Sequence, residues 1–270
     1  MLRVAWNMLR SGRALLRLMG WGLLTAGFAL LWLLGLPPVA LLGSWRRWRR
    51  ICFGGWARCC LFLSGVRCEQ HGPRVQGGGF LVANHLSWLD IPVLAARFDV
   101  VFVSMAELGR WPLIGSMARA FGTILIDRSD KRSIPAVNER IAQALERGER
   151  VTFFPEGRIG ATRELRPFRA ALFESAAQGS WGVRCVALSY ATGPGDDSVE
   201  EAVVWGQRPF LAQAWRLVLQ NRITVRLQVA GEEPRARDRK QLALRCEALV
   251  RAELGLPEKL EGAVAGAFKG

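Results

Sequence analysis

Nineteen consecutive residues without a charge, Leu18 to Leu36, constrain this chain more than any other stretch. As a helix they span about 28 Å, close to the hydrocarbon thickness of a bilayer. Upstream, Arg3, Arg10 and Arg17 recur every seven residues and Arg13 lies four before Arg17, which predicts one basic helical stripe. Downstream, Pro37-Pro38 predicts a stop or kink. The run Arg46-Arg47-Trp48-Arg49-Arg50 follows, then a second apolar stretch, Ile51 to Val66, with Arg58 as its one charge. Three arrangements fit: a cleaved signal peptide, a spanning helix, or a helix pair that re-enters or lies in one leaflet. The apolar run is long for a signal peptide and no clean A-x-A site follows it. Both flanks are positive, so loop charge does not choose a direction of crossing. If both flanks stay on the cytoplasmic side, the run re-enters or lies in the interface, which is the expectation favoured here.

Charge is distributed unevenly. Residues 1–74 hold 11 Lys and Arg against the single acid Glu69, and six of the 11 Trp. The other 196 residues hold 26 basic and 22 acidic groups. A basic excess confined to an apolar, Trp-rich end suits anionic lipid headgroups and argues against a nucleic-acid partner. With 50% apolar and 22% charged residues the chain is not disordered. Arg outnumbers Lys 33 to four, which suits bidentate phosphate contacts and equally reflects GC-rich coding. The six Cys form no CxxC, and Cys59, Cys60, Cys68 and His71 fit no common zinc spacing, so free thiols and no metal are expected.

From Gly79 onward the pattern changes. Apolar runs at 80–83, 100–103, 123–126, 151–154, 185–188 and 222–229 read as strands. Segments 88–97, 132–147, 167–178, 207–220 and 237–254 read as helices. Alternation of this kind predicts an α/β fold with a mostly parallel central sheet flanked by helices. The chain divides into basic, Trp-rich anchoring helices (1–74), an α/β domain (75–256) and a loose tail (257–270). It contains no GxGxxG, Walker loop or GxSxG, and Gly77-Gly78-Gly79 precedes a strand, as a turn does.

The chemistry-bearing residues gather at expected strand ends. Asn84-His85-Leu86-Ser87-Trp88-Leu89-Asp90 follows directly on a strand. On one helix His85 and Asp90 would lie about 140° apart, so they meet only if His85 is in the loop and Asp90 opens the helix. A carboxylate on one imidazole nitrogen leaves the other free to take a proton from a hydroxyl. The competing reading is a Ser87–Asp90 capping box beside a solvated His85. Two further strand ends carry Phe154-Pro155-Glu156-Gly157-Arg158 and Asp127-Arg128. Singly, Arg128 and Arg158 read as surface ion-pair residues; beside His85 they suggest a phosphate near a hydroxyl.

The ordered set N-H-x4-D, G-x4-D-R, F-P-E-G and V-A-L, between residues 84 and 188, resembles the glycerolipid acyltransferase family, most of all its bacterial 1-acylglycerol-3-phosphate acyltransferases. Trp111-Pro112-Leu113-Ile114-Gly115 and Pro167-Phe168-Arg169-Ala170-Ala171-Leu172-Phe173 add to the likeness. The resemblance implies that His85 is a general base oriented by Asp90. It implies that Arg128, Phe154, Pro155, Glu156 and Gly157, with Arg158 as a looser match, bind the acceptor. The donor would be acyl-CoA or acyl-carrier protein, without cofactor or metal. The acceptor would be lysophosphatidate, giving phosphatidate, or another lysolipid such as lyso-ornithine lipid. A cytosolic donor and a bilayer acceptor imply a bacterial inner-membrane protein with its catalytic domain facing the cytoplasm. The chain departs from the family pattern at three points: Arg158 directly follows F-P-E-G, Met105 stands where many relatives have a Lys, and Cys185 where the last motif has a Pro. Met cannot stabilise an oxyanion, so backbone amides would serve. Rival classes are a membrane-bound acyl thioesterase and a non-enzymatic membrane-binding protein.

Overall fold

Where the chain is apolar at every position, rather than every second one, it forms a strand covered on both faces. Gly79–Ala83 is buried at all five positions and lies at the middle of the sheet. The structure is a computed structural model. It describes residues 2–257 except 44, 112–113, 128–131, 133, 163, 180 and 207. Helices α1 (Leu2–Leu42) and α2 (Trp45–Leu63) lead into β1 (Val66–His71), β2 (Gly79–Ala83) and α3 (Asp90–Arg97). Then come β3 (Val100–Met105), a 3-10 turn at Ala106–Arg110, α4 (Ile114–Ala120), β4 (Ile124–Ile126), α5 (Ile134–Glu146) and β5 (Arg150–Phe153). A second 3-10 turn at Ala170–Phe173 precedes α6 (Glu174–Gln178), β6 (Val183–Thr192), α7 (Val199–Ala202), α8 (Phe210–Leu219), β7 (Ile223–Val229) and α9 (Arg239–Glu253).

The seven strands lie in the order β1-β7-β6-β2-β5-β3-β4. Every pairing is parallel except β6 with β7. The expected α/β class with a mostly parallel sheet therefore holds. Leu81, Leu94, Leu188, Leu217 and Leu227 fill one face with α3 and α8, while Phe80, Val82, Ile141, Phe173 and Leu242 fill the other with α5 and α9. Parallel connection brings the carboxyl ends of β2, β5 and β3 to one rim, where ligands gather in such sheets.

Several local expectations are corrected. The sheet begins before residue 75, because β1 pairs with β7 from Val66↔Ile223 to His71↔Gln228. The helix expected over 167–178 starts only at Glu174. Its first donors are engaged elsewhere: Phe168 N–H donates to buried Glu247 at 2.9 Å and Arg169 N–H to the Pro155 carbonyl at 3.0 Å. Helix α1 does not stop at Pro37-Pro38 but continues to Leu42. Proline's φ is itself helical, so the cost is two missing backbone donors and local crowding.

Arg10, Arg13 and Arg17 of the basic stripe on α1 are turned inward. Arg13 donates to the Leu219 carbonyl at 2.9 Å and to Asn221 Oδ1 at 2.5 Å. Arg17 donates to the carbonyls of Val218 at 2.9 Å and Gln220 at 2.6 Å. These are the free carbonyls at the C-terminus of α8, where cations are favoured. Close approach of α2 requires Gly35, since a Cβ there would sit 2.0 Å from the Trp48 ring. Two of the arginines expected at headgroups are also spent internally. Arg49, 3% exposed, pairs with Glu149 at 3.1 Å and Asp99 at 3.5 Å, and Arg46 pairs with Asp99 at 3.1 Å. Arg47 and Arg50 remain exposed.

Candidate active site

Asn84, the first residue past β2, behaves like one more strand residue. Its side-chain amide donates to the Leu188 carbonyl at 2.9 Å and accepts from Leu188 N–H at 2.7 Å. The loop is thereby tied to β6 next to the Ala83↔Val186 pair. Both backbone groups of His85 are then held by the loop after β5. Its N–H donates to Glu156 Oε1 at 2.7 Å, and its carbonyl accepts from Gly160 N–H at 2.7 Å.

The ring of His85 is fixed along its edge and its face. Nδ1 lies 2.7 Å from Asp90 Oδ2, and the ring stacks on Phe154 with centroids 4.0 Å apart and planes 11° from parallel. Asp90 is fully buried at the start of α3. Its Oδ2 also accepts from the N–H groups of Leu86 at 2.7 Å and Ser87 at 2.9 Å. Its Oδ1 accepts from the Tyr190 hydroxyl at 2.6 Å. The capping reading and the catalytic reading thus describe the same carboxylate: Asp90 organises the first turn, with Ser87 Oγ accepting from Leu89 N–H, and also grips the imidazole. A carboxylate bearing four donors is an acceptor only, so neutral His85 carries its proton on Nδ1. That leaves Nε2 with a lone pair and no protein partner among the described residues, on a side chain 18% exposed. This arrangement can serve as a general base toward a hydroxyl.

The F-P-E-G segment supports this base more than it faces outward. Glu156 is 3% exposed, and its two oxygens accept from the backbone of His85 and, at 3.1 Å, of Arg166. Burial pushes its carboxyl up to about 7, partly offset by those two backbone donors. Gly157 has φ 75°, and a Cβ there would lie 2.7 Å from Nε of Arg169. The Arg169 side chain therefore covers Gly157 directly. Arg158 is exposed and makes no hydrogen bond or ion pair with described residues. Arg128 lies outside the described residues. Met105 is 45% exposed at the end of β3, with no cation in its place.

Sequence reasoning missed two side chains that structure brings to this place. Arg169 was visible only as part of a familiar string; nothing in its spacing tied it to Gly157. Tyr190, the single tyrosine of the chain, lies two residues past Leu188, and strand parity puts it on the face shared by Val186 and Leu188. Parity was the available signal.

A sequence model described as Acyltransferase matches residues 65–190. The chain is 32% identical over 190 residues to the 1-acyl-sn-glycerol-3-phosphate acyltransferase of Neisseria meningitidis, covering 70% of this chain and 74% of that protein. It is 36% identical over 200 residues to the lyso-ornithine lipid O-acyltransferase of Pseudomonas aeruginosa, covering 73% and 76%. The crystal structure of the 1-acyl-sn-glycerophosphate acyltransferase of Thermotoga maritima superposes with a TM-score of 0.56 at 16% identity, over 90% of this chain and all of that one, a likeness of fold. An α/β sheet with a histidine–aspartate pair at its carboxyl rim suits group-transfer chemistry, and the chain belongs to the acyltransferase family. Its relatives divide between two lipid acceptors at similar identity.

Proposed function

We propose that this protein transfers an acyl chain from a thioester to the free hydroxyl of 1-acylglycerol-3-phosphate, giving phosphatidate. The observation that carries the reading is His85 Nε2, without a partner among the described residues, on a ring held by Asp90 and Phe154. Nε2 takes the hydroxyl proton as the oxygen attacks the thioester carbon. The tetrahedral intermediate collapses, the C–S bond breaks, and the imidazolium returns its proton to the departing thiolate. Thioester activation drives the step without metal or nucleotide. The Arg169 guanidinium, lying over Gly157 in the loop that holds the base, suits the acceptor's phosphate, and the family resemblance adds Arg128 and Arg158. The donor is acyl-CoA or acyl-carrier protein.

Acylation of lyso-ornithine lipid is a second reading, favoured by the 36% identity to the Pseudomonas aeruginosa enzyme. Purified protein offered both acceptors with one acyl-CoA decides between them. Turnover of lysophosphatidate is expected, and His85→Ala should reduce it by about 10²–10⁴-fold. Turnover on the phosphate-free acceptor alone would overturn the first reading. Thiol release without any acceptor would instead identify a thioesterase.

The proposal seats the protein on the cytoplasmic leaflet, where the thioester donor is found, and α1 supports a membrane association. The helical segment 8–35 contains an 18-residue window of mean hydropathy 1.7 and is long and apolar enough to cross a membrane. Their outer face nevertheless runs continuously from Met8 through Leu16 and Leu23 to Leu34, all exposed, while the opposite face packs on α2 and α8. A row of rings, Trp21, Trp88, Phe210, Trp205 and Trp111, continues from α1 with centroid spacings of 5.3–6.3 Å. Partly exposed aromatics suit the headgroup layer. This pattern supports a helix lying in the interface.

A further inference from the structure

We propose that Tyr190 is a positioning residue for the histidine base, acting through the second oxygen of Asp90. The proposal rests on the general-base reading above and extends it to a residue outside the four sequence motifs.

Three observations converge. The Tyr190 hydroxyl lies 2.6 Å from Asp90 Oδ1, while the imidazole, Leu86 N–H and Ser87 N–H all use Oδ2. The carboxylate is thus held at both ends, and without the phenol Oδ1 would have no donor among the described residues. Asp90 is wholly buried, so water does not freely take that place. Finally, Tyr190 stands on β6, the strand that Asn84 clamps through Leu188. One strand therefore fixes the loop bearing the base and the carboxylate that steers it.

Burial, the Asp90 charge and the hydrogen bond hold the Tyr190 phenol well above its ordinary value, so it remains a donor throughout the working pH range. Besides Asp90, the titratable groups facing the assembly are Glu156 from the loop after β5 and Cys68 from β1. A donor on Oδ1 draws negative charge away from Oδ2 and moderates its pull on the imidazole proton. Removing it concentrates charge beside His85, favours the imidazolium and frees the carboxylate to rotate.

The chain has two histidines and one tyrosine, so both partners can be observed separately from catalysis. Full-length protein labelled with ¹⁵N-histidine shows only His71 and His85. In Tyr190→Phe, the His85 titration should move to higher pH. kcat should fall about tenfold or more, the scale of one lost hydrogen bond to a charge, with KM for the lysolipid little changed. Replacing the tyrosine by 3-fluorotyrosine keeps the shape and strengthens the donor, so His85 should titrate at lower pH. In an Asp90→Asn background, Tyr190→Phe should have no further effect on kcat. An unmoved His85 titration in both Tyr190→Phe and the fluorinated protein would overturn the proposal. So would loss of rate that persists undiminished in the Asp90→Asn background, which marks a purely structural phenol. Failure of His85→Ala to lower acyl transfer would overturn the general-base reading instead, while the titrations still reported on Tyr190.

Discussion

At the scale of single residues, the site is governed by who occupies each carboxylate oxygen. Glu156 was expected to face the acceptor, yet both its oxygens go to backbone donors of His85 and Arg166. Its folded-state carboxyl, near 7, is raised above its ordinary value of 4.5 by burial. The folded protein therefore holds this proton more tightly than the unfolded chain. The stability it contributes is full below pH 4.5 and is lost as pH rises through about 7. Glu156→Gln removes that dependence and sets an amide donor against one of two backbone N–H groups. Melting between pH 5 and 8 should become flatter than in the parent protein, and acyl transfer should fall by about tenfold. Equal slopes in the two proteins would show that Glu156 is already ionised at pH 5. His85 and Asp90 were legible because both lie within seven residues of a readable strand end, where local spacing decides geometry. The work of Glu156, Tyr190 and Arg169 was not legible, because each acts through a partner on another strand or loop.

At the scale of elements, helix positions were readable from apolar periodicity, while edges and anchors depended on contacts that a local pattern cannot show. β1 was hidden because its burial falls off after Val66 and only its pairing with β7 makes it a strand. The basic run at 46–50 read as one surface, but its members divide: Arg49 is enclosed with Asp99 and Glu149, whereas Arg47 and Arg50 face outward. Removing a partner from a buried ion cluster strands the remaining charges. Arg49→Ala should cost about 3–5 kcal/mol in urea unfolding, whereas Arg47→Ala should change stability by less than about 0.5 kcal/mol. Equal effects would show that Arg49 is solvated.

For the molecule as a whole, α1 joins two environments. Its inner side is fastened to α8 through Arg13 and Arg17, and its outer side exposes Leu23 and Leu30, at 74% and 57%. Leu23→Glu with Leu30→Glu should leave the domain's circular dichroism and melting unchanged. Partition onto anionic vesicles should fall at least tenfold, the scale of placing two carboxylates in the interface. High salt alone should not release the unmodified protein. Retained binding by the double variant would move the lipid contact elsewhere.

The four donors converging on Asp90 give that residue an unusual genetic signature. Because two are amides of the loop and one is the imidazole, under the proposed mechanism its loss should disarm the enzyme and loosen the first turn of α3 together. A screen of random variants for normal cellular abundance without product should therefore return changes at His85 readily and changes that strip Asp90 of its acceptor oxygens seldom, since the latter, unlike Asp90→Asn, would be cleared by proteolysis before they were counted.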